Sequence, residues 1–319
     1  MNRLAGVLLA LSFASPAAAW GPLGHLAVAQ IAQERLSPAA QKKLEQLLGA
    51  PDALWRVAGC ADIILHARGT VQCGGLINVP ADDARVSAPW HYMNIPISAR
   101  ASAANISKHC QDGDKCVWGQ VRRQAELLKS EPSPAKRKIA LMFLVHFAGD
   151  LHQPLHVADH NDRGGNQAPV SIPGVSKNLH STWDGLVMIR EWQSPRPEPD
   201  TEDKTKVDLA ELMAKLRAGI SHADTGSWLQ GDTVTAAALE GHAIPHDVIY
   251  PSYRETQGKL DGSYEDKMQP IAFERLERAG VRLAALLEEA LGGGKDERLV
   301  DAKVASLSIQ KALAESPVR

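Results

Sequence analysis

Charge of one sign, long apolar runs and paired-cysteine zinc spacing are all missing from this 319-residue chain. The formal net charge is −2, so no basic surface advertises a duplex-DNA binder, whose affinity would rest on many Lys and Arg contacts to phosphate. Any phosphate chemistry must therefore be local. None of the four cysteines, Cys60, Cys73, Cys110 and Cys116, stands in the C-x2-C spacing of a structural zinc site. The apolar run "LAGVLLALSF" behind Arg3 is too short to span roughly 30 Å of hydrocarbon. Strand signals are few and no internal repeat is evident. Nor does the composition suggest disorder, since 44% hydrophobic and 23% charged residues are ordinary for one large globular domain or two small ones.

The apolar run leads into "ASPAAAW", where Ala17 and Ala19 supply the small-x-small pattern of a signal-peptidase site. Residues 1–19 thus read as a cleaved signal peptide, with the mature chain starting at Trp20 and destined for the periplasm or the exterior. In an oxidising compartment, an even number of cysteines reads as disulfides. Of the three possible connectivities the sequence-local one is favoured, Cys60 with Cys73 and Cys110 with Cys116.

Apolar periodicity predicts a mainly α-helical protein. Helices are expected at 25–35, 38–48, 117–129, 134–152, 178–191, 206–220, 233–240 and 270–291. The second has Ser37 as N-cap, Pro38 at its first position and Gly49 as terminator. "QAPVSIPGV" suits a small hairpin, and "PWHYMNIPI" an extended segment pinned by prolines. The tail, 292–319, follows three glycines and reads as an appendage. "PAKRK" at 134–138 reads as the solvated start of a helix, and "NIS" at 105–107 fits a glycosylation acceptor.

Polar residues in an apolar setting carry the functional signal. In "FLVHFAGDLHQPLH" His146 and Asp150 are four apart and share a helix face, and Pro154 turns the chain so that His156 can return toward them. "NLHSTWDGL" repeats the four-residue step with His180 and Asp184. Upstream lie His25, Asp62 in "GCADII" and His91 in "PWHYMN". Any one of these alone would more often be a structural residue. Together, five histidines and three aspartates form a constellation suited to Zn2+ at about 2.0–2.2 Å, with ligands for more than one ion.

Taken in order, Trp20 after the A-x-A site, His25, Asp62, "WH" at 90–91, "HFAGDLHQPLH" at 146–156, "GGN" at 164–166 and "HSTWD" at 180–184 resemble the S1/P1 family of zinc nucleases, relatives of bacterial zinc phospholipase C. The resemblance spans roughly residues 20–291. It implies a single all-α domain with three zinc ions in a cleft. The first ion would take Asp62, His91, His146 and Asp150, and the second His156, His180 and Asp184. The third would take the α-amine and carbonyl of Trp20, His25 and a bridging Asp150. His152 is left to orient a ligand or satisfy a buried backbone group. Three zincs and three aspartates leave a net charge of about +3, which traps anions. A zinc-activated hydroxide oriented by Asp62 would attack phosphorus. The implied reaction is endonucleolytic cleavage of single-stranded DNA and RNA to 5′-phosphorylated products, with 3′-nucleotidase activity.

Tyr92 and Asn94 of "HYMN" stand where family members stack and hydrogen-bond a base, and Asn166 where phosphate or substrate would be contacted. Leu65 departs from relatives that carry an arginine three residues after the aspartate, leaving the phosphate to the zincs or to a cation such as Arg68. A zinc phospholipase C is the competing enzyme reading. Against it stand the cysteines, aspartate rather than glutamate at position 184, and the base-pocket residues of "HYMN". A non-catalytic exported zinc-binding protein is a third reading, opposed by the open coordination positions implied for each ion.

Overall fold

Capping chemistry divides the chain where the sequence suggests. The computed structural model describes residues 20–110, 112–172, 175–185 and 202–292; the leader, the tail and the end of the helix expected at 178–191 lie outside them. Helix α1 (Gly21–Arg35) is followed by α2 (Pro38–Leu48), where the Ser37 hydroxyl accepts from the Ala40 N–H at 3.2 Å and Gly49 closes the helix at φ 82°. A short α3 (Cys60–His66) follows. Helices α4 (Val117–Ser130) and α5 (Pro134–Asp150) pack side by side, and every residue of α5 from Ala140 to Asp150 is buried. After α6 (Leu179–Gly185) come α7 (Glu202–His222), α8 (Thr225–Trp228), α9 (Thr233–Ile244) and α10 (Tyr250–Thr256).

The longest element, α11 (Gly262–Leu291), runs against α1, α4, α5 and α7. It begins eight residues before the start expected at 270. Asp261 caps it, accepting from the Ser263 N–H at 2.9 Å, and Pro270 rides inside the helix. Close approach of α1 and α11 depends on Gly280, where a Cβ would come within 2.5 Å of Ile31.

Two hairpins are the only multi-residue strand pairs among the described residues. Strands β1 (Thr70–Cys73) and β2 (Ile77–Pro80) pair antiparallel with Cys73 opposite Ile77, a hairpin that periodicity does not reveal. Strands β3 (Pro169–Ile172) and β4 (Val175–Asn178) form the expected one. The "PWHYMNIPI" stretch is extended only from Tyr92 onward, because a 3-10 segment covers Ala84–His91. Its extended half lies along the chain after His156: the Met93 N–H donates to the His156 carbonyl at 2.7 Å, and the Asp159 N–H to the Ile95 carbonyl at 2.8 Å.

The basic stretch at the start of α5 holds other helix ends in place. Arg137 donates to the Leu128 carbonyl at 2.8 Å and Lys138 to that of Leu48 at 3.4 Å, both in last turns where carbonyls lack helical partners. Lys136 alone of the three is largely solvated, with its side chain 72% exposed. Asn105 closes a turn, donating to the Arg100 carbonyl and accepting from the Ser102 N–H.

Cys110 and Cys116 form a disulfide. The other expected bridge is absent: Cys60 and Cys73 are buried free thiols. The hydrogen bond between them pushes the Cys60 thiol up, with burial adding to it, and the Cys73 thiol down, with burial opposing it. No helix among the described residues is long and apolar enough to cross a membrane.

Candidate metal centre

The last turn of α5 is the pivot. A helix places residues four apart on one face, so His146 and Asp150 point together, both fully buried. The 3-10 turn Pro154–His156 brings His156 back beside them. From α3 comes Asp62, from the end of the 3-10 segment His91, from α1 His25, and from α6 His180 and Asp184.

Three sets of donor atoms converge: His25 with His146 and Asp150, Asp62 with His91 and His146, and His156 with His180 and Asp184. Asp150 serves two directions. Its Oδ1 lies 3.4 Å from His25 Nε2, while its Oδ2 lies 3.0 Å from His91 Nδ1 and 3.4 Å from His146 Nε2. Asp62 Oδ1 is 3.6 Å from His91 Nδ1 and 3.4 Å from His146 Nε2. In the remaining set His156 Nε2 and His180 Nε2 are 3.1 Å apart, and Asp184 Oδ2 is 3.8 Å from His180 Nε2. Ligand atoms of a tetrahedral ion at about 2.0–2.1 Å stand about 3.3 Å from each other, so these spacings suit zinc.

Unsatisfied atoms support the same fit. Both ring nitrogens of His25, Nε2 of His91 and of His146, and both Asp150 oxygens are buried without a hydrogen-bond partner, a costly state unless something else engages them. Main-chain carbonyls fix the orientation of three imidazoles. Nδ1 of His146 donates to the Ala58 carbonyl at 2.8 Å, that of His156 to the His91 carbonyl at 2.7 Å, and that of His180 to the Gly164 carbonyl at 2.6 Å. Each Nε2 is thereby left as the bare nitrogen a metal needs.

Electrostatics follow from burial. Burial lowers His25 and His180 to about 3, which keeps both neutral at ordinary pH. Burial also opposes charge on His146, yet Asp150 and Asp62 outweigh it and hold the imidazole at about 9. Both of those carboxyls are depressed despite burial, chiefly by His146. A proton on His146 thus plays the part a metal cation can take over. Asp184 is pushed well up by burial, with the Gln153 amide working the other way.

The remaining expected residues fall into place unevenly. Trp20 is fully buried, its indole donating to the Gly149 carbonyl at 3.0 Å, next to Asp150. Tyr92 and Asn94 are both exposed and alternate with buried His91 and Met93 along the extended segment, so they share an outward face beside the centre. Asn166 spends its amide on the Arg163 carbonyl at 3.0 Å. The adjacent glycines serve a histidine: Gly164, at φ 63°, supplies the carbonyl under His180, and a Cβ there would meet the Leu155 carbonyl at 2.5 Å.

His152 touches no metal-group side chain. Its Nδ1 donates to the Ala148 carbonyl at 2.8 Å and its Nε2 accepts from Arg282 at 3.3 Å. Arg275 donates to the His152 carbonyl at 3.2 Å, and Glu240 is the counter-charge for Arg275, Arg278 and Arg282. This network clamps α9 and α11 beneath the turn that carries His156. Sequence reasoning missed Gln153, although it stands between two histidines in "HQPLH".

Comparison with known proteins agrees with the geometry. Residues 20–292 match the S1/P1 Nuclease family. Endonuclease 2 of Arabidopsis thaliana is 29% identical over 294 residues, covering 86% of this chain and 91% of that protein. Nuclease S1 of Aspergillus oryzae is 28% identical over 309 residues, covering 90% and 98%. Nuclease P1 of Penicillium citrinum is 27% identical over 284 residues, covering 86% and 98%.

Proposed function

The chain belongs to the S1/P1 nuclease family, and from that premise we propose that it hydrolyses phosphodiester bonds of single-stranded DNA and RNA to 5′-phosphorylated products, with 3′-nucleotidase activity and three zinc ions as cofactors. The observation that carries the reading is Asp150, a buried carboxylate whose two oxygens face different histidines. Asp62, His91, His146 and Asp150 would hold the first ion, His156, His180 and Asp184 the second, and the Trp20 main chain, His25 and Asp150 the third. When bound, zinc lowers the pKa of water from about 15.7 to near 7 and offsets phosphate charge. Asp62, whose side chain is 26% exposed while the other ligands are nearly closed off, has the access needed to accept a hydrogen bond from the attacking water or hydroxide and aim it. Tyr92 offers a stacking face for a base and Asn94 both a donor and an acceptor for its edge. Asn166 keeps its Oδ1 for a substrate or phosphate-bound water, since only its amide nitrogen is committed.

Residues 1–19 act in this reading as a cleaved export signal, 20–291 as the catalytic domain, and 292–319 as an appended tail, placing the enzyme in the periplasm or outside the cell. The test is incubation with single-stranded DNA, duplex DNA and a phosphatidylcholine emulsion, each with and without chelator. Metal-dependent loss of the single strand, with 5′-phosphate ends and intact lipid, is expected. Release of phosphocholine without DNA cleavage would overturn the reading.

A further inference from the structure

Gln153 is fully buried at the junction of α5 and the His156 turn, with both ends of its amide engaged. Its Oε1 accepts from the Leu155 N–H at 2.6 Å, and its Nε2 donates to Asp184 Oδ1 at 2.8 Å. The first contact fixes the amide's orientation, because a backbone N–H can meet only the oxygen end; the donor end therefore faces Asp184. Its own main chain is tied at both sides, to the Asp150 carbonyl at 3.0 Å and from the His156 N–H at 3.0 Å.

We propose that Gln153 is a positioning residue for the second metal group: its amide occupies Asp184 Oδ1 and turns Oδ2 toward His180, so that Asp184 binds the ion through one oxygen. The same side chain holds the turn that carries His156, so it connects two of that group's three members. An uncharged donor suits the role. Lysine would place a cation against the metal, and glutamate would offer no hydrogen to a carboxylate already buried.

The proposal rests on the zinc reading above, and the experiment separates the two. Gln153→Glu keeps an acceptor for the Leu155 N–H and removes the donor to Asp184. Gln153→Leu, similar in volume and uncharged, covers the case in which a buried carboxylate hinders folding. Zinc affinity is measured by competition with a chromophoric chelator, alongside the melting temperature of the metal-free proteins. Both variants should bind one ion about 10- to 100-fold more weakly and keep the others, while the metal-free proteins melt lower by about 2–4 °C for each kcal/mol of buried hydrogen bonding lost. Parental affinity in either variant overturns the assignment, as does a loss in Gln153→Leu alone, which would leave the Leu155 contact as the whole effect. If the parent protein itself takes up no zinc, the family reading fails instead.

Discussion

A carboxylate is useful to two cations only if each oxygen can be aimed separately, and Asp150 meets that condition by sitting rigidly at the buried end of α5. Asp150→Asn should therefore cost more metal than any other single change, while Asn166→Ala should leave metal content at the parental level; elemental analysis of both purified proteins decides it, and equal zinc in the two would remove the bridging role. In the proposed reading Tyr92, 39% exposed, serves substrate rather than metal. Its replacement by alanine should weaken nucleotide binding by about 1–3 kcal/mol with zinc unchanged, as read by titration calorimetry, whereas unaltered affinity would leave Tyr92 as mere surface. That the histidines and aspartates converge was legible in sequence because few residue types can coordinate a metal and helical spacing says which of them meet. The Ala58, His91 and Gly164 carbonyls were not, since any residue can supply a main-chain acceptor. Gln153 escaped notice for a related reason, as an amide among histidines has no coordination signature of its own.

At the level of elements, legibility tracked local chemistry. Ser37, Pro38 and Gly49 bound α2 wherever the rest of the chain goes, whereas the seven residues of α3 and the four-residue strands of the first hairpin exist because long-range burial favours them. Two contacts between elements can be tested. On α5, a Cβ at Gly149 would lie 2.8 Å from His25 Nδ1. Gly149→Ala should push the imidazole off Asp150, lowering zinc content by about one ion at a cost of about 1–3 kcal/mol from overpacking; a rise in melting temperature with full metal would show that the ring yields freely. Where α7 meets α11, Gly219 makes room for Glu277, with a Cβ there reaching within 2.0 Å of the carboxylate. Burial, and then Glu274, raises Glu277 from 4.5 to about 7. The folded state therefore keeps a proton that the unfolded chain gives up, so this residue's contribution falls as pH rises from about 4.5 to about 7. Glu277→Gln should remove that slope and stabilise the protein above pH 7 by up to roughly 3 kcal/mol, which denaturant melts at several pH values would reveal; parallel curves would refute it.

For the molecule as a whole, metal and fold are one equilibrium, because the donor atoms come from segments far apart in sequence that meet only when folded. Chelation should abolish nuclease activity and lower the melting temperature by roughly 5–10 °C for each ion previously held at about 100 times its Kd, as differential scanning calorimetry would record; an unmoved transition would detach the metals from folding. The carbonyls beneath His146, His156 and His180 have a last consequence, for how such a molecule ages over generations. A side chain that steers a catalytic group can be lost in one mutation, but a peptide carbonyl survives every substitution that keeps the backbone path. The aim of these three imidazoles is thus written in the course of the chain rather than in the identity of its neighbours. Ala58, itself fully buried, can change only within the space its packing leaves, Gly164 only where its left-handed backbone is tolerated, yet a lineage can exchange many of its letters while these three imidazoles keep their aim.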